Sequence, residues 1–163
     1  MMRLIGLALV FSTGCMVGMQ SAARQSSRAR RIRILERMVQ DLATQLRYQT
    51  PTVRELIDYL RSQPMYAPLG FLGQVGEDGR FADDWHSAVC GDAALGMEEK
   101  QLLEELGGTL GTTDTDGQLC ALSLIGAQFS RLAADTEQKA MEKGRLYRAL
   151  GILGGAAAAV VLA

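Results

Sequence analysis

The sequence predicts an all-α protein: a compact bundle of about six helices between an N-terminal and a C-terminal hydrophobic membrane helix. Apolar residues recur at three- and four-residue spacing through the middle of the chain, and no segment shows the two-residue alternation of a strand. Both ends are long apolar runs without charge. A length of 163 residues with 48% apolar residues fits one domain with a buried core.

Composition argues against several classes of function. A formal net charge of -1 is unlike that of a protein that coats nucleic acid, and the single histidine, His86, leaves little room for histidine-based metal or acid–base chemistry. Cys15, Cys90 and Cys120 are too far apart for a CxxC metal site, and we expect Cys90 and Cys120 to behave as small hydrophobic residues in a reducing cytosol. We therefore predict no catalytic, cofactor or metal site, and no small-molecule substrate.

The first 23 residues predict a transmembrane helix. Residues 4–23 carry no charge, and a helix of that length spans about 30 Å, which matches a bilayer core. Seven arginines and only two acidic residues lie between Arg24 and Arg47, and arginines that flank an apolar span tend to remain in the cytoplasm. A signal peptide cleaved after residues 21–23 (SAA) is the alternative, but the arginines favour an uncleaved anchor.

The last 15 residues, 149–163, are also uncharged and predict a second membrane helix, although they span only about 22 Å. Long basic side chains before this run can reach the membrane surface, which extends the span. The alternative is a hydrophobic helix packed on the soluble domain. Residues 24–148 are therefore expected to form a cytoplasmic bundle. Its membrane-side flank comprises Arg24, Arg28, Arg30, Arg31, Arg33, Arg145 and Arg148.

The first half of the bundle contains three predicted helices. Apolar positions between Ile32 and Leu46 share one helical face, and the helix can continue from the anchor because no proline or glycine interrupts it. Thr50 is the expected N-cap of a second helix that begins at Pro51. Its apolar stripe comprises Val53, Leu56, Ile57 and Leu60. A third helix is expected up to about Val75, and residues 76–79 (GEDG) predict a turn.

Three more helices are predicted in the second half. One buries the stripe Phe81, Trp85, Ala88 and Val89. The next, from about Met97 to Leu106, has Leu102, Leu103 and Leu106 inward and Glu98, Glu99 and Lys100 outward. Residues 107–111 (GGTLG) predict a helix end and a tight turn, and Thr115 with Gln118 predicts a capping box on the longest helix. The seam of that helix comprises Leu119, Leu122, Gly126, Phe129, Ala133, Thr136 and Ala140.

Negative charge is concentrated between Glu77 and Glu105, a segment that contains nine acidic residues and two basic ones. This run forms either a solvated outer face or an acidic surface for a basic protein partner. Asp114, Asp116 and Gly117 look like part of a calcium loop, but the required ligands at its first and twelfth positions are absent from the sequence. Calcium binding is therefore rejected.

Residues 106–118 (LGGTLGTTDTDGQ) resemble the L-G-x-T-L-G-x-x-D-x-x-x-Q signature of the stage III sporulation protein AB family. Three other features stand in the family's order: the basic helix 28–42 (RARRIRILERMVQDL), the step 46–51 (LRYQTP) and the pair Asp84-Trp85. An apolar run after a charged helix completes the pattern, so that the resemblance covers essentially the whole chain.

The resemblance implies a non-enzymatic membrane platform component of the apparatus between mother cell and forespore in endospore-forming bacteria. Its soluble domain would be similar to the six-helix cytoplasmic domain of the type II secretion and type IV pilus platform protein. The whole protein would be held in the mother-cell membrane. The implied partners are membrane lipid, the secretion-type ATPase stage III sporulation protein AA and the other stage III A proteins, with the forespore protein Q more distant.

The resemblance also assigns a structural role to the turn before the last helix, with partner contact as a second role. The family-motif residues are Gly108, Leu110, Gly111, Asp114 and Gln118. The alternative function, from a different class, is an exported or surface-tethered helical binding domain with a processed N-terminal signal. No cofactor is implied in either case.

Overall fold

In the computed structural model, all of the regular secondary structure is helical, and the residues that it describes include no strand. It describes the backbone of residues 2–49, 51–76 and 80–162, and the side chains of residues 26–49, 51–76, 80–142 and 144–146. The α-helices are α1 (Met2–Gln49), α2 (Val53–Ser62), α3 (Phe81–Gly91), α4 (Met97–Thr109) and α5 (Thr115–Leu162). Two short 3₁₀ helices, Pro64–Tyr66 and Gly70–Gln74, lie between α2 and α3. The all-α prediction is confirmed.

The chain divides into two compact units. The first, here called the core unit, is Arg31–Ala133 and contains α2, α3 and α4 with parts of α1 and α5. The second, the terminal unit, consists of Met1–Arg30 and Ala134–Ala163. Within the described side chains of the terminal unit, Ala29 and Thr136 are buried.

The core unit buries the apolar stripes that the sequence predicts. Every predicted inward position of α1 is buried, and those of α2 and α3 are buried or packed against the core. The fully or almost fully buried members of α1 are Ile32, Leu35, Met38, Val39 and Leu42. On α5 the buried face includes Leu122, Ile125, Phe129 and Ala133. Periodicity located these faces because burial on one side of a helix repeats every 3.6 residues.

The start of α2 differs from the prediction. Thr52 is the N-cap: its Oγ1 accepts from the backbone N–H of Glu55 at 3.3 Å, and Glu55 Oε2 accepts from the backbone N–H of Thr52 at 2.7 Å. The predicted start at Pro51 was therefore wrong, and the predicted cap Thr50 lies outside the described residues. Thr52 is favoured because Glu55 stands three residues on and completes a capping box, whereas Val53 stands three residues after Thr50.

The helix predicted up to about Val75 is also absent. The segment between α2 and α3 contains the two 3₁₀ helices instead. Pro68 lacks an N–H to continue a helical ladder, and Gly70 and Gly73 lower helix propensity. Tertiary bonds hold the segment in place. The Tyr66 hydroxyl donates to Asp41 Oδ2 at 2.5 Å, and the Arg61 guanidinium donates to the carbonyls of Leu72 and Val75.

The predicted turn 76–79 is described only at Gly76. Among the described residues, no helix carries an apolar stretch long enough to cross a membrane. The segments predicted to do so, residues 1–23 and 149–163, lie outside the residues whose side chains are described.

Candidate functional site

The helix pair α3 and α4 is packed around Trp85. The buried indole donates from Nε1 to the carbonyl of Leu103 at 2.7 Å. Phe71 meets the Trp85 ring edge-on and Phe81 lies tilted against it, each with a centroid separation of 5.4 Å. A Cβ built on Gly107 would lie 2.3 Å from Trp85 Cδ1, so that only a glycine allows this approach.

Helix α4 ends later than the sequence predicts. Gly107 and Gly108 were expected in a helix end and turn, but both are helical, and α4 runs to Thr109 with Leu110 as its C-cap. The glycine at 107 meets the packing requirement of Trp85, whereas Gly111 supplies the turn with a φ of 75°. A Cβ on Gly111 would also approach Val53 Cγ2 to 2.9 Å.

The turn between α4 and α5 is tied together by the side chain of Gln118. Its Nε2 donates to the carbonyl of Thr113 at 2.7 Å, and its Oε1 accepts from the backbone N–H of Gly111 at 3.4 Å. Gln118 is 9% exposed, so these bonds satisfy a largely buried amide. The Gln118 side chain, in the first turn of α5, therefore holds the backbone of Gly111 and Thr113 close to that helix.

Asp114 caps α5, since its Oδ1 accepts from the backbone N–H of Gly117 at 3.3 Å. The predicted capping box of Thr115 and Gln118 was wrong, because the Gln118 amide binds the backbone of Gly111 and Thr113 instead. The turn between α4 and α5, together with its capping residues, is here called the motif turn. It contains four of the five family-motif residues, Leu110, Gly111, Asp114 and Gln118, of which Leu110 and Gln118 are buried. The fifth, Gly108, lies exposed on the last turn of α4.

The predicted membrane flank is only partly described. Arg30 and Arg145 are exposed and Arg28 is half-buried, while the side chains of Arg24 and Arg148 lie outside the described residues. Two flank residues belong to the core unit. They are Arg33, whose guanidinium pairs with Glu36 at 2.9 Å, and Arg31, which donates to the carbonyl of Ala94 between α3 and α4.

Exposed carboxylates line the α3–α4 pair. Asp83 on α3 and Glu98 and Glu105 on α4 are all exposed, and these three residues are here called the acidic surface. Glu99 was predicted outward but is 2% exposed. It lies three, four and seven residues before the buried leucines of α4, so that it shares their face.

Three further side chains of α3 and α4 converge at the surface. His86 Nδ1 lies 2.8 Å from Glu104 Oε2 and 3.9 Å from Cys90 Sγ, and Cys90 Sγ lies 3.9 Å from Glu104 Oε1. All three residue types can bind a metal ion. The i, i+4 spacing of His86 and Cys90 was the available sequence signal, but nothing local pointed to Glu104.

Cys90 and Cys120 are both exposed, which corrects the expectation that they behave as small hydrophobic residues. On α3, Cys90 stands four residues after His86 and shares its exposed face, outside the buried stripe of Trp85, Ala88 and Val89. Its position is therefore set by the buried stripe, which turns the thiol toward solvent.

The fold and the motif turn define a small all-helical protein in which a glycine-containing turn joins α4 to α5. The model of the stage III sporulation protein AB family matches residues 3–163. The chain therefore belongs to the stage III sporulation protein AB family, a sporulation family not known for enzymes, and its role is in stage III of sporulation. A search of curated proteins found no match. A search of solved structures likewise found none.

Proposed function

We propose that this chain is a non-enzymatic integral-membrane platform component of the apparatus between mother cell and forespore, and that its core unit docks the secretion-type ATPase stage III sporulation protein AA. The observation that carries this proposal is the family match, which extends over residues 3–163 and so includes both apolar ends as well as the helical units. A platform needs a membrane attachment and a rigid docking face, and features of the chain support each.

Membrane attachment is supported by the distribution of charge. Residues 4–23 and 149–163 carry no charge; arginines follow the first run, and both arginines and lysines precede the second. Basic residues flanking an apolar span tend to remain in the cytoplasm. In the proposed topology, residues 24–148 face the mother-cell cytoplasm and are the part of the chain that contacts the ATPase.

Docking is proposed at the acidic surface, Asp83, Glu98 and Glu105. The segment 77–105 has nine acidic residues against two basic ones, so that its long-range attraction is for a basic partner. The helices that carry it are joined by the Trp85–Leu103 hydrogen bond, and Arg31 of α1 binds the carbonyl of Ala94 between them. A surface held in one arrangement loses little conformational entropy when a partner binds.

Charge reversal tests the docking face. We expect Glu98→Lys/Glu105→Lys to reduce copurification of stage III sporulation protein AA with the full-length chain by at least about tenfold, since reversed charges repel a basic partner. The matched control is Asp116→Lys/Glu142→Lys. Asp116 lies in the first turn of its helix, as Glu98 does, and Glu142 is an exposed acid within a helix, as Glu105 is. Equal losses in both double variants would reject this face as the docking site.

Protease accessibility tests the topology. Residues 24–148 should be protected in intact cells and digested in inverted membrane vesicles, and mass spectrometry should find the N-terminal segment uncleaved. Digestion of the bundle from outside the cell, or a chain that begins after residue 23, would support the exported helical domain and overturn the platform proposal. This result is independent of whether the acidic surface binds the ATPase.

A further inference from the structure

The cluster of His86, Cys90 and Glu104 is not used by the proposed docking function. His86 and Cys90 are four residues apart on α3 and therefore project from the same side of the helix, and Glu104 reaches them from α4. Their candidate ligand atoms all lie within 4.8 Å of one another. Imidazole, thiolate and carboxylate are the three side-chain types that bind Zn²⁺ in proteins.

The three ligand atoms lie near one another at separations that can be compared with those around a tetrahedral ion. Bond lengths of about 2.0–2.3 Å around tetrahedral Zn²⁺ place neighbouring ligand atoms about 3.3–3.6 Å apart. The observed separations are 2.8 Å from His86 Nδ1 to Glu104 Oε2, and 3.9 Å from Cys90 Sγ to both His86 Nδ1 and Glu104 Oε1. With one ligand atom from each side chain, the three atoms lie within 4.8 Å of one another. Because the two Glu104 contacts use different oxygens, rotation of its carboxylate and of the exposed His86 and Cys90 side chains is needed to bring all three atoms to bonding distance of one ion.

The scaffold holds these side chains together on both sides. Trp85 and Leu103, the residues just before His86 and Glu104, are joined by a buried hydrogen bond of 2.7 Å. At the end of α3, Lys100 Nζ of α4 donates to the carbonyl of Cys90 at 2.6 Å. The cluster therefore lies between two bonds that link α3 to α4, and binding an ion there requires little reorganisation.

We propose that His86, Cys90 and Glu104 form a binding site for Zn²⁺, with three protein ligands and water at the fourth position. The Cys90 thiol releases its proton to solvent on binding, so that thiolate and carboxylate balance the charge of the ion while imidazole binds neutral. The side chain of His86 is 63% exposed, which leaves the fourth position open to solvent. A mixed nitrogen, sulfur and oxygen set selects Zn²⁺ over Mg²⁺ and Ca²⁺, which prefer oxygen ligands.

Metal titration of the full-length chain in detergent tests the site. We expect one Zn²⁺ per chain, with no competition from excess Mg²⁺ or Ca²⁺, and a thiolate-to-metal charge-transfer band when Co²⁺ is used as the probe. Cys90→Ser should abolish the band, and His86→Ala and Glu104→Gln should each weaken Zn²⁺ binding at least about tenfold, because loss of an outer-sphere partner alone costs that much. The matched control is Cys120→Ser, which removes the other exposed thiol among the described side chains and should change neither result.

The proposal is overturned if Cys90→Ser keeps the Co²⁺ band, if Cys120→Ser removes it, or if the wild-type chain binds no Zn²⁺. The last result would identify His86 and Glu104 as an ordinary surface hydrogen-bonded pair. All three substituted positions are at the surface or half-buried, so tryptophan fluorescence of the metal-free variants should match that of the wild type. That comparison separates loss of the site from loss of the fold.

Discussion

The indole Nε1–H of Trp85 donates a hydrogen bond of 2.7 Å to the backbone carbonyl of Leu103 and so joins α3 to α4. This bond fixes the axial position of α3 relative to α4. The residues that follow the two partners, His86 and Glu104, meet at the surface with 2.8 Å between Nδ1 and Oε2. A buried contact thus positions the surface groups of the same helix pair.

Gly107→Ala and Gly108→Ala should change stability in opposite directions. A Cβ at 107 would lie 2.3 Å from Trp85 Cδ1, whereas one at 108 would meet nothing within 4 Å. Displacing the indole should lower the free energy of unfolding by about 1–3 kcal/mol, while alanine at the exposed helical position should raise it by about 0.5–1 kcal/mol. Trp85 is the single tryptophan of the chain, so its fluorescence during urea unfolding reports on this helix pair. Equal effects of the two alanines would contradict the packing described for Gly107.

Gln118→Met should loosen the turn between α4 and α5. Methionine retains the length of the side chain but leaves the N–H of Gly111 and the carbonyl of Thr113 without the amide that now binds both. We expect a loss of about 1–3 kcal/mol in the free energy of unfolding, measured by urea denaturation. Gln128→Met, at an exposed position of α5, is the control and should have little effect. A neutral result at 118 would mean that the turn does not depend on the amide.

Tyr66→Phe should destabilise the segment between α2 and α3 by about 1–2 kcal/mol, because the hydroxyl donates to Asp41 Oδ2. Burial, then the hydrogen bond and charge of Asp41, raise the pKa of Tyr66 above its ordinary value of 10.0. The folded state therefore holds the proton more tightly than the unfolded chain, and this contribution is present at neutral pH and falls as pH rises above about 10. Urea denaturation of the variant at several pH values checks both points. Tyr48→Phe, at a side chain 78% exposed, should match the wild type throughout.

Glu55→Gln should remove a pH-dependent part of the stability of α2. Hydrogen bonds from the Thr52 backbone N–H, then from its hydroxyl, lower the pKa of Glu55 below its ordinary value of 4.5. Because the folded state favours the ionised carboxylate, its contribution is present above pH 4.5 and is lost as pH falls through the lowered pKa. The difference in unfolding free energy between wild type and variant should therefore shrink on acidification. A difference that is constant from pH 7 to pH 3 would show that the capping box does not depend on the charge.

Local patterns in the sequence located most of the helices. The inward faces of α1, α3 and α5 follow from apolar residues at helical spacing, and that signal is strong because a buried stripe repeats along each helix whatever its partner is. The family resemblance of residues 106–118 was equally local, and the family match confirms it. The boundaries were less well predicted. Thr52 rather than Thr50 caps α2, since the choice depends on a side chain three residues away.

The sequence by itself determined the helical class, the family and the faces that are buried, because each depends on residues close together in the chain. Only the tertiary structure decided that Gly107 stays helical against Trp85, that Glu99 turns inward, and that Glu104 meets His86 and Cys90. Those outcomes depend on how α3 and α4 pack, and contacts between residues 14–22 positions apart leave no periodic signal. The same packing brings the three candidate zinc ligands together.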